Sequence, residues 1–272
     1  MKKIIDLKRG NYQVHPYHLV EPSPWPLGAS IACLVLTLGG VLAMHNYRLG
    51  NYVLPAGLVL VLSTMIYWWR DVIREGTYQG YHTKAVKKGL TIGFILFIIS
   101  EALLFGSFFW AFFHSSLSPS VEIGSVWPPV GIEALDTFEI PLLNTVILLT
   151  SGATITVSHN KMIGKDRYMT ILYLLITVLL SALFLGCQYL EYNIASFDIS
   201  DSVFGACFFA TTGLHSVHVI IGTLFLIVSL NRIYKYELTN SHHIGYEAAI
   251  LYWHGVDVVW LLVFTFIYWW GS

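Results

Sequence analysis

KKGLTIGFILFIISEALLFGSFFWAFFH, residues 87–114, decides the fold of this chain. Between Gly89 and Phe113 it holds one charged residue, Glu101. At about 1.5 Å per residue, a helix of that length crosses a hydrocarbon layer. Glu101 sits near the middle of the run. An ionised carboxylate there costs several kcal/mol unless it is paired or faces protein. An apolar helix with a lone central acid points to a membrane protein, and makes that acid the first candidate for function.

The rest of the sequence agrees. Hydrophobic residues make up 56% of the 272 and charged residues 11%, far below the roughly 25% of soluble domains. Mean hydropathy is +0.64. The apolar residues come in long blocks rather than at period 2 or 3.6. Seven spans are expected, at 27–44, 52–69, 89–113, 142–158, 169–190, 203–230 and 248–270. The blocks lack the short alternating pattern of a membrane barrel. The predicted fold class is an all-α membrane protein in one membrane domain, 1–272. Within it, 27–69 forms a two-helix bundle, 70–88 an inner connecting segment and 89–270 a five-helix bundle. The last five spans contain no proline and read as continuous helices. Gly89/Gly93 and Ala206/Ala210, four residues apart, are expected at close helix contacts.

Charge sets the expected orientation. Lys2, Lys3, Lys8, Arg9, Arg70, Arg74, Lys84, Lys87, Lys88, Lys161, Lys165, Arg167, Arg232 and Lys235 fall on one side of the alternating spans, and Arg48 alone on the other. The positive-inside rule then puts the N-terminus inside and the C-terminus outside. The outer segments carry Glu122, Glu133, Asp136, Glu139, Glu191, Asp198 and Asp201 instead. No basic run points to nucleic acid, and the basic start lacks the apolar stretch of a secretory signal. Cys33, Cys187 and Cys207 lie in apolar spans, form no CxxC pair and read as small buried hydrophobes.

Few residues outside Glu101 could carry chemistry. His215 and His218 share one face of the sixth span, at a spacing that could hold a metal or haem. No further ligand stands near them in sequence, so they read as hydrogen-bonded core residues and as candidate partners of Glu101. His254 and Asp257 are expected to form a local pair, and His114 and His159 to lie at helix ends. Glu101 has two readings, a packing carboxyl or a group in proton exchange. No residue is assigned a catalytic or metal-ligating role. Tyr67, Trp68 and Trp69, and Tyr268, Trp269 and Trp270, end two spans and are expected in interfacial aromatic belts.

Several stretches together resemble subunit III of cytochrome c oxidase: WWRDVIREGTYQGYHT, GFILFIISEALLFGSFFWAFFHSSL, WPPVGIEALDTFEIPLLNT, TTGLHSVHVIIGTLFLIV and AAILYWHGVDVVWLLVFTFIYWWGS. The likeness runs in order from Val14 to Ser272, and HPYHLVEPSPWP is similar to the mitochondrial members. The resemblance implies a non-redox core subunit of the terminal proton-pumping oxidase, which carries electrons from cytochrome c to oxygen. Haem and copper would belong to partner subunits I and II, with none in this chain. Helices 1–2 and 3–7 would form two bundles in a V whose cleft holds phospholipids, anionic ones included. Glu101 would match the family's buried glutamate, and Trp69, Arg74, Glu75, His82, Lys88, Arg232 and Lys235 its lipid contacts. The location implied is the mitochondrial inner membrane, with the N-terminus in the matrix and the C-terminus in the intermembrane space.

Two other classes compete. An ion transporter built on Glu101 and Asp257 fits poorly with unbroken late helices that contain no Lys or Arg. A retinal protein needs a lysine within a span for its Schiff base, and every lysine here lies in a loop.

Overall fold

The computed structural model describes residues 15–240 and 242–272. Lys2, Lys3, Lys8 and Arg9 lie outside the described residues. Among the described residues, seven helices are long and apolar enough to cross a membrane: α1 (Trp25–Met44), α2 (Gly50–Thr77), α3 (Lys84–Leu117), α4 (Ile140–Ile163), α5 (Arg167–Ile194), α6 (Val203–Tyr234) and α7 (Ile244–Val263). The described residues contain no strand, only an isolated bridge between Thr239 and His242. The chain divides into two compact units, one ending at Leu90 and the other running over Thr91–Ser272.

In the first unit, α1 and α2 pack through backbone rather than side chains. A Cβ on Gly39 would fall 2.5 Å from the Leu54 nitrogen, and one on Gly57 would fall 2.5 Å from the Leu36 Cα. Only glycine permits that approach. Besides glycines, Ala32 is the one residue buried on these two helices. At the far end of the pair, the Trp25 indole donates to Asp71 at 2.7 Å and stacks on Tyr67.

The expected connecting segment 70–88 is mostly helix. Helix α2 runs on through Arg70 and Arg74 to Thr77, and α3 starts at Lys84, leaving only 78–83 irregular. Apolar content locates a span, but a helix continues into water where its residues are good helix formers, as Arg and Glu are here. The Thr83 side chain accepts from the Val86 amide at the start of α3 and donates to the Pro16 carbonyl at 2.5 Å. The other helices also overrun their expected bounds, by two to five residues at most ends.

The second unit is held by an antiparallel ladder between α4 and α7. Trp260 donates to Thr145 at 2.9 Å, Trp253 to Ser151 at 2.9 Å, and Tyr246 to Ser158 at 2.7 Å. Each rung pairs a small hydroxyl on α4 with a large aromatic on α7. The aromatic brings apolar area, and its polar atom finds a partner, as a dry interior demands. Ser158 passes the chain on by donating to the Thr170 carbonyl of α5 at 2.8 Å. Gly222 of α6 lies against the Trp253 ring, where a Cβ would sit 3.0 Å from ring carbon.

The segment between α3 and α4 closes over the end of α7. Trp127 donates to the Gly271 carbonyl at 3.1 Å, and Thr137 to the Tyr268 carbonyl at 2.8 Å. Within that segment the Ser120 hydroxyl, hydrogen-bonded to the exposed Glu122, holds its carboxyl below the usual range.

Several expectations change. The last span is not a uniform α-helix, since Phe264–Trp269 forms a π turn. Glu191 is no loop acid. It lies on α5, 1% exposed, and accepts from Tyr268 and from Gln188. Tyr268 is accordingly a buried core residue, whereas Tyr67, Trp68, Trp69, Trp269 and Trp270 are exposed. Gly89 and Gly93 make no close helix contact, since a Cβ on either meets nothing within 4 Å, and Ala206 is exposed. Small size permits approach but does not choose the face. Cys33 is exposed, while Cys187 and Cys207 are half-buried, and all three are free thiols.

Candidate functional site

Helix α3 stands off from its unit and reaches it through long aromatic side chains. Phe105, Phe109 and Phe112 are buried, and Phe94 meets Phe225 edge-on. In this sparse packing Glu101 extends to α6. Its Oε2 lies 2.7 Å from His218 Nε2, with side-chain exposures of 26% for the acid and 10% for the histidine. The other histidine nitrogen, Nδ1, lies 2.8 Å from the Leu214 carbonyl. A carbonyl oxygen only accepts, so Nδ1 carries a hydrogen. One proton therefore sits in the Nε2–Oε2 contact, on either the imidazole or the carboxyl. The pair is uncharged overall in both forms, which is how an acid survives in an apolar span. Tyr252 stacks parallel to the His218 ring and Phe105 meets it edge-on at 5.0 Å, fixing its plane.

His215 does not join Glu101. One turn along α6, about 4.5 Å higher, it is fully buried among Trp260, Phe184 and Phe105, and neither ring nitrogen has a hydrogen-bond partner. His254 Nδ1 lies 3.5 Å from Asp257 Oδ2, and its Nε2 lies 3.3 Å from the Thr156 hydroxyl of α4. Gly152 of α4 leaves the room that the Asp257 carboxylate occupies.

The residues expected to touch lipid divide between the units. In the first unit, Trp69, Arg74 and Lys88 are exposed, and Glu75 and His82 half-buried. The His82 ring packs on Gly76, where a Cβ would lie 2.6 Å from Nδ1. In the second unit, Lys235 is exposed just after α6, whereas Arg232 forms an ion pair with Glu237 at 3.3 Å.

Sequence reading missed the Glu191–Tyr268–Gln188 group. Its signal was present, since an acid within one helical turn of a glutamine at the end of an apolar span can turn inward.

The family model described as Cytochrome c oxidase subunit III matches residues 15–272. The chain belongs to that family. A cytochrome c oxidase subunit 3 from Allomyces macrogynus is 65% identical over 271 residues, covering 100% of this chain and 98% of the relative. Those from Pyricularia grisea and Triticum aestivum are 57% and 56% identical, covering 98% and 96% of this chain and 99% and 98% of the relatives. Family membership makes the chain a subunit of cytochrome c oxidase, the terminal oxidoreductase of the respiratory chain. It is a multi-span membrane protein of a mitochondrial oxidase.

Proposed function

We propose that this chain serves the oxidase without a redox centre of its own, by holding phospholipid and by steadying proton supply to catalytic partner subunits I and II, which hold the haem and copper. One observation carries this reading: the Glu101–His218 pair. It is a proton-sharing pair inside an apolar span, and the acid is left partly uncovered by its own chain. A carboxyl needed only for packing has no reason to keep an open side. Phospholipid, anionic species included, covers that side, and in the first unit it covers the exposed Trp69, Arg74 and Lys88. Glu75 near the end of α2 and His82 in the turn before α3 add to the lipid contacts of the first unit, and Lys235, just after α6, to those of the second, with Arg232 acting through its ion pair. The 14 cations on one side of the spans, against Arg48 on the other, support an N-terminus in the matrix and a C-terminus in the intermembrane space.

The test is Glu101→Gln in the assembled oxidase. The amide keeps the shape and can still hydrogen-bond to His218, but it cannot exchange the shared proton. The expected result is an initial rate of oxygen reduction near wild type, followed by earlier inactivation during turnover or fewer protons pumped per electron. Wild-type pumping and lifetime would reduce Glu101 to a packing group. Complete loss of oxygen reduction in a correctly assembled variant would refute the auxiliary role.

A further inference from the structure

Beyond the pair at Glu101, a second polar cluster lies where the end of α4 meets the start of α7. It brings together His159 from the last turns of α4, His243 immediately before α7, and Glu247 in the first turn of α7. One ligand-type atom from each lies within 4.8 Å of the other two.

The hydrogen bonds fix which atoms face inward. His243 Nδ1 lies 2.9 Å from the Thr239 carbonyl, which only accepts, so Nδ1 carries a hydrogen and donates. Its Nε2 then points at Glu247 Oε1, 3.2 Å away. His243 is 7% exposed, so water does little to moderate that contact. Two lone pairs held at this distance repel unless something positive lies between them. A proton on Nε2 would relieve His243 and Glu247. It would leave the third member unsatisfied, because His159 Nε2 is buried and has no hydrogen-bond partner. A cation shared by all three satisfies every one of these atoms.

We propose that His159, His243 and Glu247 bind a zinc-like divalent cation. Two imidazoles and one carboxylate are a borderline ligand set, suited to zinc rather than to magnesium or calcium. Ligand atoms about 2.1 Å from a tetrahedral zinc stand about 3.4 Å apart, close to the His243–Glu247 separation. The Thr239 carbonyl holding Nδ1 is the outer contact that typically orients a ligating histidine. The Glu247 side chain is 48% exposed, which gives the ion an entry path and leaves room for water as a fourth ligand. Bound there, the ion ties α4 to α7 at the end opposite the Trp260–Thr145 rung.

Equilibrium dialysis of radioactive zinc against the chelator-washed oxidase complex tests the site. His159→Gln and Glu247→Gln should each weaken one zinc site by at least about tenfold while leaving other sites unchanged. A second measurement needs no variant: adding zinc to the wild-type complex should slow amide hydrogen exchange at residues 242–247 several-fold. Identical zinc isotherms for wild type and assembled variants would overturn the proposal, as would exchange at 242–247 that zinc does not change.

Discussion

Helices α1 and α2 hold each other by backbone contact at glycines, while α4 and α7 hold each other by aromatic side chains that donate to hydroxyls. The first arrangement buries almost no side chain and leaves Leu34, Leu38, Leu58 and Ile66 exposed. The second buries Trp253, Trp260 and Tyr246 completely. Both suit an apolar surrounding, but they depend on it differently. Glycine packing gains only close van der Waals contact and needs lipid or protein around its exposed leucines. The aromatic ladder carries its own core and its own polar satisfaction, so it is rigid without help.

The largest test of this contrast is in the ladder. Trp260→Ala removes a fully buried ring and leaves the Thr145 hydroxyl without its indole partner, so a loss of about 3–5 kcal/mol is expected from denaturation midpoints in detergent. A loss below about 1 kcal/mol would mean the ladder does not hold the unit. Next comes Gly57→Leu, which places a side chain against the α1 backbone at Leu36. Because backbone cannot step aside as a side chain can, about 3 kcal/mol is expected, the upper end of ordinary overpacking. Protease sensitivity should rise in α1 and α2 and stay unchanged in α4–α7. The smallest effect belongs to Gly93→Ala on α3, where a Cβ meets nothing. The change should stay within about 0.5 kcal/mol, with helix propensity slightly favouring alanine. A large loss there in the assembled oxidase alone would reveal a partner seated on that face.

The contrast also shows what a sequence discloses. Seven spans were legible because burial in lipid needs about twenty apolar residues in a row, a signal independent of partners. Glu101 was legible for the same reason, as the one charge in such a run. What depended on geometry between spans was not. His215 and His218 share a helical face, and only the rotation of α6 against α3 decides that His218 meets the acid. Glu191 looked like a loop acid because its span was expected to end at Leu190. One further turn of helix carries it into the core beside Tyr268. Gly89 and Gly93 had the spacing of a helix contact without the contact, whereas Gly39 and Gly57 make theirs and were not singled out. The cluster of His159, His243 and Glu247 joins residues of two distant helices, so no local motif announces it.

The dependence of the first unit on surrounding lipid is the central claim, and hydrogen exchange in the oxidase before and after lipid removal by phospholipase and detergent tests it most directly. Amides in α1 and α2 should exchange faster once lipid is gone, while those in α4, α6 and α7 keep their protection. Equal loss of protection in both units, or earlier loss in α4–α7, would contradict the account.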